Sequence, residues 1–160
     1  MTKFMTEEGW SYLVIVLDWY SKKIVGYHLS SLSRIEEWLE ALEEGLGKQF
    51  KNGVKGSGLK LISDNGCQPT SKRFMKACHH LGVEQIFTSY NNPKGNAETE
   101  RMVRTIKEEL LWLREWTGKN EAEQALKEWI SQYNESYLHS AHGYRPPVWA
   151  EQNYMKESAA

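Results

Sequence analysis

Two acids in this 160-residue chain stand where open α/β proteins place their chemistry. Asp64 follows the apolar stretch Leu59-Lys60-Leu61-Ile62-Ser63 and opens the turn Asp64-Asn65-Gly66. Glu100 lies at the start of a helical pattern, in Asn96-Ala97-Glu98-Thr99-Glu100-Arg101, with 35 residues between the two acids. Active sites of open α/β sheets form beyond the carboxyl ends of the strands. Two carboxylates delivered to one such edge make a site for a hard divalent cation, which takes oxygen ligands. Arg104 and Lys107 follow Glu100 at i+4 and i+7, so acid and cations share one stripe of a helix. That layout suits a metal beside phosphates.

Each signal alone has a plainer explanation. Asp-Asn-Gly is an ordinary turn sequence, and an acid at a helix start is favoured by the helix dipole. Arg101, Arg104 and Lys107 beside Glu108 and Glu109 match a solvated face with i,i+4 pairs. His79-His80 has no matching ligand pair and reads as a surface pair, and His28, His139 and His142 add no zinc spacing. The tryptophans at helical spacing suit a core better than a platform for bases. What carries weight is the order and spacing of these features together.

The elements that must position the two acids follow from periodicity. Thr2 to Met5 and the run Ser11 to Asp18 are strands, the second covered on both faces because it is apolar without alternation. Ser21-Lys22-Lys23 turns the chain into a third strand, Ile24 to Leu29, where Gly26 marks a bulge or close packing. The three form an antiparallel meander with an unusually short first strand. Ser33 and Glu36 have capping-box spacing, and Ile35, Trp38, Leu39, Leu42 and Leu46 form one buried helical stripe that Gly45 and Gly47 should end. Strand 59–62 leads to Asp64. A helix capped by Thr70 or Ser71 and stopped by Gly82 connects it to strand 83–88, which implies a parallel crossover. A long helix runs from Ala97 to about Trp116, and a last one carries Leu126, Trp129, Ile130 and Tyr133. The segment 143–160, opening Gly143-Tyr144-Arg145-Pro146-Pro147, is expected to be an extended tail.

Composition bounds the class. The chain is long enough for one domain with a sizeable core, and an apolar fraction of 40% argues against disorder. Its longest apolar run is far too short to span a membrane, and Thr6-Glu7-Glu8 falls where a signal peptide needs apolar residues. Cys67 and Cys78 show no CxxC spacing and read as reduced cytosolic thiols. A net charge of −1 gives no global nucleic-acid signature, so DNA binding has to come from local patches.

Taken together these residues resemble the catalytic core of DDE-type transposases and retroviral integrases, above all the OrfB-like transposases of bacterial insertion sequences. The resemblance runs from about Thr2 to Gln152. It rests on Tyr12-Leu13 through Leu17-Asp18 with Ser21 and Ile24-Val25-Gly26, then Ser63-Asp64-Asn65-Gly66 with Gln68 and Thr70-Ser71. Asn96-Ala97, Glu100 and Thr105-Ile106-Lys107-Glu108 follow, then Tyr133-Asn134, His139-Ser140, Gly143-Tyr144 and Pro146. Asp64 and Glu100 match the second and third acids of the family's D, D-35-E motif. The first acid of that motif lies in Asp-x-Thr on the first strand. If Thr2 is that threonine, the aspartate falls immediately before Met1; Asp18 matches a different position, at the end of the second strand.

The resemblance implies an α/β, RNase H-like fold: a five-stranded mixed sheet, antiparallel meander plus parallel strands, with helices on both faces and a truncated first strand. Residues 1–142 would be the core. It implies phosphoryl transfer supported by Mg²⁺ or Mn²⁺ in a two-metal site, with Asp64 and Glu100 as catalytic metal ligands. Lys94, Asn96, Arg101, Arg104 and Lys107 would hold DNA phosphates. The partners implied are transposon ends, target DNA and further copies of the chain, in the bacterial cytoplasm and away from membranes. Without the first aspartate the chain itself is expected to be inactive. Two other classes stay open: a non-catalytic DNA-binding or oligomerisation module of the same fold, and a structure-selective nuclease using acids of the last helix.

Overall fold

The computed structural model describes residues 1–88 and 97–158, with side chains through residue 154. Strands β1 (Thr2–Thr6), β2 (Gly9–Leu17) and β3 (Ile24–Ser30) form the expected antiparallel meander. β1 pairs from Thr2 opposite Leu13 to Thr6 opposite Gly9, so it covers only the first half of β2. Val14 to Leu17 pair with β3, across a register shift between Val16 and Leu17. Gly26 lies at that shift, and it is also a point of close approach. A Cβ there would overlap the Ala41 carbonyl oxygen and come within 2.7 Å of the Gly45 nitrogen. Only glycine lets helix α1 (Ile35–Gln49) lie this near the sheet.

α1 differs from its sequence signals at both ends. It begins one residue later than the Ser33/Glu36 spacing suggests, and the Glu37 carboxylate accepts a hydrogen bond from the Arg34 backbone N–H at 2.6 Å. It also runs through Gly45 and Gly47 to Gln49. Contact with β3 at Gly45 outweighs the weak local preference against glycine.

β4 (Lys60–Ser63) and β5 (Glu84–Phe87) are parallel and joined by α2 (Lys72–Leu81). Ser71 caps α2 by accepting from the Phe74 N–H, and Gly82 closes it at φ 79°. The five strands do not hydrogen-bond as one sheet: the meander and the β4–β5 pair are separate. A cavity of about 580 Å³ lies between them, lined by Val14 and Val16 of β2, Leu59 and Leu61 at β4, and Leu42 and Leu46 of α1.

Helices flank both faces. On one, Leu13, Ile24 and Leu29 pack against Met102, Ile106, Leu126 and Ile130; on the other, Leu42, Leu46, Phe74, Cys78 and Val83 form a second cluster. The first helix of the former face, α3, spans only Ala97–Ile106; it then widens into a π-helical turn, Lys107–Leu111, and ends. The single helix expected to reach Trp116 is thereby corrected. Trp116 instead turns inward, 1% exposed, and its indole N–H donates to the Leu111 carbonyl at 3.0 Å.

The extended tail expected at 143–160 is also corrected. After α4 (Lys119–Ser136) and a short 3₁₀ turn, Pro147–Ser158 form helix α5. Pro147 supplies the reason, because proline is well suited to the first turn of a helix, where its missing N–H has no partner to lose. Ala150 is buried, Glu151 pairs with Lys23 at 2.6 Å, and Tyr154 packs on Tyr20. Through Ala150, Glu151 and Tyr154 the helix packs against the rest of the fold.

Candidate active site

Asp64 lies immediately beyond the carboxyl end of β4, exposed at the mouth of the inter-sheet cavity. Its Oδ1 accepts the Gly66 N–H at 3.0 Å, and Gly66 is needed there: a Cβ would stand 2.9 Å from that oxygen. The turn is fastened on several sides. The Asn65 amide donates to the Thr88 carbonyl at 2.7 Å, which ties it to the end of β5. The Gln68 amide reaches the Ser33 hydroxyl at 3.0 Å, and Thr70 closes onto the Gly66 carbonyl. A carboxylate on so well-held a turn is preorganised to bind a ligand.

Glu100 is exposed in the first turn of α3, and its neighbour Thr99 lines the same cavity as Asp64. Among the described residues neither acid has a cationic side chain within ion-pair distance. The cations divide. Lys107 lies with its ammonium 5.4 Å from the Trp112 ring centre, and its charge reaches the Met1 amine. Arg104 is engaged by Glu108 at 2.8 Å, so its guanidinium is shared with its own helix. The charge of Arg101 is felt at Tyr133, Tyr137 and His139, on the α4 side of the helix. Lys94 and Asn96 lie outside the described residues.

Met1 marks a third position. Burial pulls its α-amino group below the usual 8.0, the Asp64 carboxylate pulls it back up, and Lys107 lowers it further. Met1, at the head of β1, lines the same cavity as Asp64. Asp18 lines the same cavity, with one carboxylate oxygen accepting the Ser21 N–H at 3.0 Å and the Ser21 hydroxyl, closing the β2–β3 turn. Three of the four acids of α4 are in local contacts, Glu121 with Thr117, Glu128 with Gln124 and Glu135 with Ser131. Among the described residues no three His, Cys, Asp or Glu side chains group as a metal site. The donor chemistry of Asp64 and Glu100 nevertheless fits a hard cation: carboxylate oxygens, with the second oxygen of Asp64 uncommitted in the described contacts.

The sequence pattern of the integrase core domain matches residues 1–93, and a second integrase core domain pattern matches residues 81–147. The chain belongs to the integrase core domain family, the DDE transposase and integrase core. It is 30% identical over 148 residues to the transposase of insertion sequence element IS904 from Lactococcus lactis, covering 92% of this chain and 57% of that protein. It is 28% identical over 153 residues to the IS629 transposase of Shigella sonnei, covering 96% of this chain and 50% of that one. The chain thus spans about half the length of these transposases. Among solved structures, the catalytic core domain of BIV integrase superposes with a TM-score of 0.63 at 18% identity, over 98% of this chain and 95% of that domain. The HTLV-2 integrase catalytic core domain, in complex with magnesium, gives 0.68 at 15% identity, over 93% and 90%. These likenesses show the fold, the RNase H-like α/β fold of retroviral integrase cores.

Within this integrase core, sequence reasoning placed Asp64 and Glu100 at a strand end and a helix start, where both stand. It missed that Met1 lines the same cavity as Asp64. It also missed Lys22, whose ammonium lies 3.1 Å from Glu98, two residues before Glu100. The one available signal was a lysine in the second position of a tight three-residue turn.

Proposed function

We propose that this chain is the catalytic core of a DNA transposase, acting by phosphoryl transfer at the 3′ ends of a mobile element and then at target DNA. The observation that supports it most is Asp64 at the carboxyl end of β4, sharing a cavity with Met1 and with Thr99, the neighbour of Glu100, inside an integrase core. Asp64 and Glu100 would hold Mg²⁺ or Mn²⁺, which when bound activate the attacking oxygen and neutralise charge on the leaving one. Carboxylates gathered at about 4 Å repel by roughly 4 kcal/mol per pair at an effective dielectric near 20, and a cation reverses that sign. Lys94, Asn96, Arg101, Arg104 and Lys107 bind phosphates and set the register of the duplex without reading its sequence. Arg104 reaches DNA by releasing Glu108.

A third carboxylate belongs to the same reading. A residue joined to the Met1 nitrogen falls beside Asp64, and aspartate there completes the ligand set. The chain alone then binds metal weakly and does not cut DNA. The complete protein acts in bacterial cytoplasm as an oligomer on element ends and target.

The test is a labelled element-end duplex with Mn²⁺, scored for nicked product by the upstream-extended protein. Asp64→Asn and Glu100→Gln should each abolish nicking, as should Asn at the residue preceding Met1, while Asp18→Asn and Glu98→Gln cost less. Death of Asp18→Asn with survival of the upstream variant overturns the assignment of the first acid. Absence of nicking in the extended protein, with DNA binding kept, favours a non-catalytic module instead.

A further inference from the structure

Lys22 and Tyr144 are the two described residues other than glycine with positive φ, at 64° and 59°. A left-handed conformation is costly for a side chain that has no short polar group to bond locally, and an observed outlier of this kind points toward function. The surroundings of Lys22 hold it there from several directions. Its N–H donates to the Asp18 carbonyl at 2.9 Å, and its own carbonyl accepts the Tyr133 hydroxyl at 3.0 Å. The Tyr133 oxygen lies 2.8 Å from Nε2 of His139, so the ring N–H donates to Tyr133 while Tyr133 donates onward to Lys22. Ile24, two residues on, is bracketed by the Asn134 amide, which donates to its carbonyl and accepts its N–H, both at 2.9 Å.

The side chain so aimed is only 15% exposed, and its ammonium donates to the Trp19 carbonyl at 2.7 Å and pairs with Glu98 at 3.1 Å. Glu98 stands in the first turn of α3; the next firm anchor of that helix, buried Met102, is a full turn later. Residues two apart on a helix point to nearly opposite sides. Holding Glu98 from one side therefore fixes the turn that presents Glu100 on the other. We propose that Lys22 is a positioning residue: its strained turn clamps Glu98 and thereby sets where the Glu100 carboxylate stands. The inference rests on the reading of Asp64 and Glu100 as ligands of one cation site. A residue needed only to make the turn would be glycine, which adopts this φ without strain. Lysine there gives up that ease and supplies the clamp.

Four variants of the upstream-extended protein test it: Lys22→Gly, Lys22→Arg, Glu98→Gln and the Gly/Gln double variant. The readouts are Mn²⁺ affinity from the free-ion electron paramagnetic resonance signal, amide exchange at Arg101 and Met102, and the melting temperature. Lys22→Gly should leave the melting temperature unchanged or raised, yet weaken Mn²⁺ binding about ten-fold, the scale at which groups supporting a metal ligand act. Its α3 amides should exchange faster. Lys22→Arg should retain affinity, and the double variant should be no weaker than either single one. A Lys22→Gly protein with unchanged Mn²⁺ affinity and unchanged exchange overturns the proposal, as does a double variant whose two losses add. Asp64→Asn separates the two readings. If it leaves Mn²⁺ binding intact, the cation site is wrong, and exchange and non-additivity alone decide the clamp.

Discussion

A Cβ on Gly66 would stand 2.9 Å from Oδ1 of Asp64, at the oxygen that accepts the Gly66 N–H. Gly66→Ala should therefore turn the carboxylate while leaving the exposed turn folded. The expected result is Mn²⁺ affinity lowered by about ten-fold with little change in melting temperature, measured by titration. Affinity equal to the parent's would show that the turn does not set the carboxylate. His139 makes a prediction of opposite kind. Burial first, then the charges of His142, Arg101 and Lys22, hold its pKa below the usual 6.5, with Glu98 opposing. The unfolded chain takes up a proton near 6.5 while the folded one resists. Its contribution to stability is complete above that pH and is lost as pH falls through the lowered folded value. Urea midpoints should drop between pH 7 and 5, and His139→Gln should flatten that slope. An unaltered slope would assign the acid sensitivity to other groups.

The elements were legible to different degrees, for identifiable reasons. β2, α2 and α4 announce themselves because one face of each is apolar at the right period and, for α2, because Ser71 and Gly82 punctuate it. α1 was legible in its stripe but not in its end, since Gly45 serves a contact 19 residues away in sequence, at Gly26. The π turn at Lys107–Leu111 and helix α5 were not legible at all. The first depends on how Trp116 folds back, and the second begins at a proline that local rules treat equally as a stop and a start. The Gly26–Gly45 contact gives the test at this scale. Gly26→Ala drives a methyl into backbone atoms that cannot rotate away, so the cost should be about 3 kcal/mol. In a chain this size that lowers the melting temperature by roughly 10 °C. A drop of only a degree or two would mean that α1 can slide off β3.

For the whole molecule, the two acids of the motif were legible, and the cavity that Asp64 lines with Thr99, the neighbour of Glu100, was not. Spacing in sequence says nothing of the cavity between β2 and β4. Met1, at the head of β1, lines that cavity with Asp64. The family pattern and the TM-scores establish the integrase core and its fold; the chemistry follows from whether Asp64 and Glu100 act on one ion. The most direct measurement is anomalous scattering from Mn²⁺ in crystals of the upstream-extended protein. A peak is expected with an oxygen of Asp64 and an oxygen of Glu100 each at about 2.1 Å, lost in Asp64→Asn crystals grown alike. Density that engages neither acid, or that persists unchanged in the Asp64→Asn protein, would contradict it.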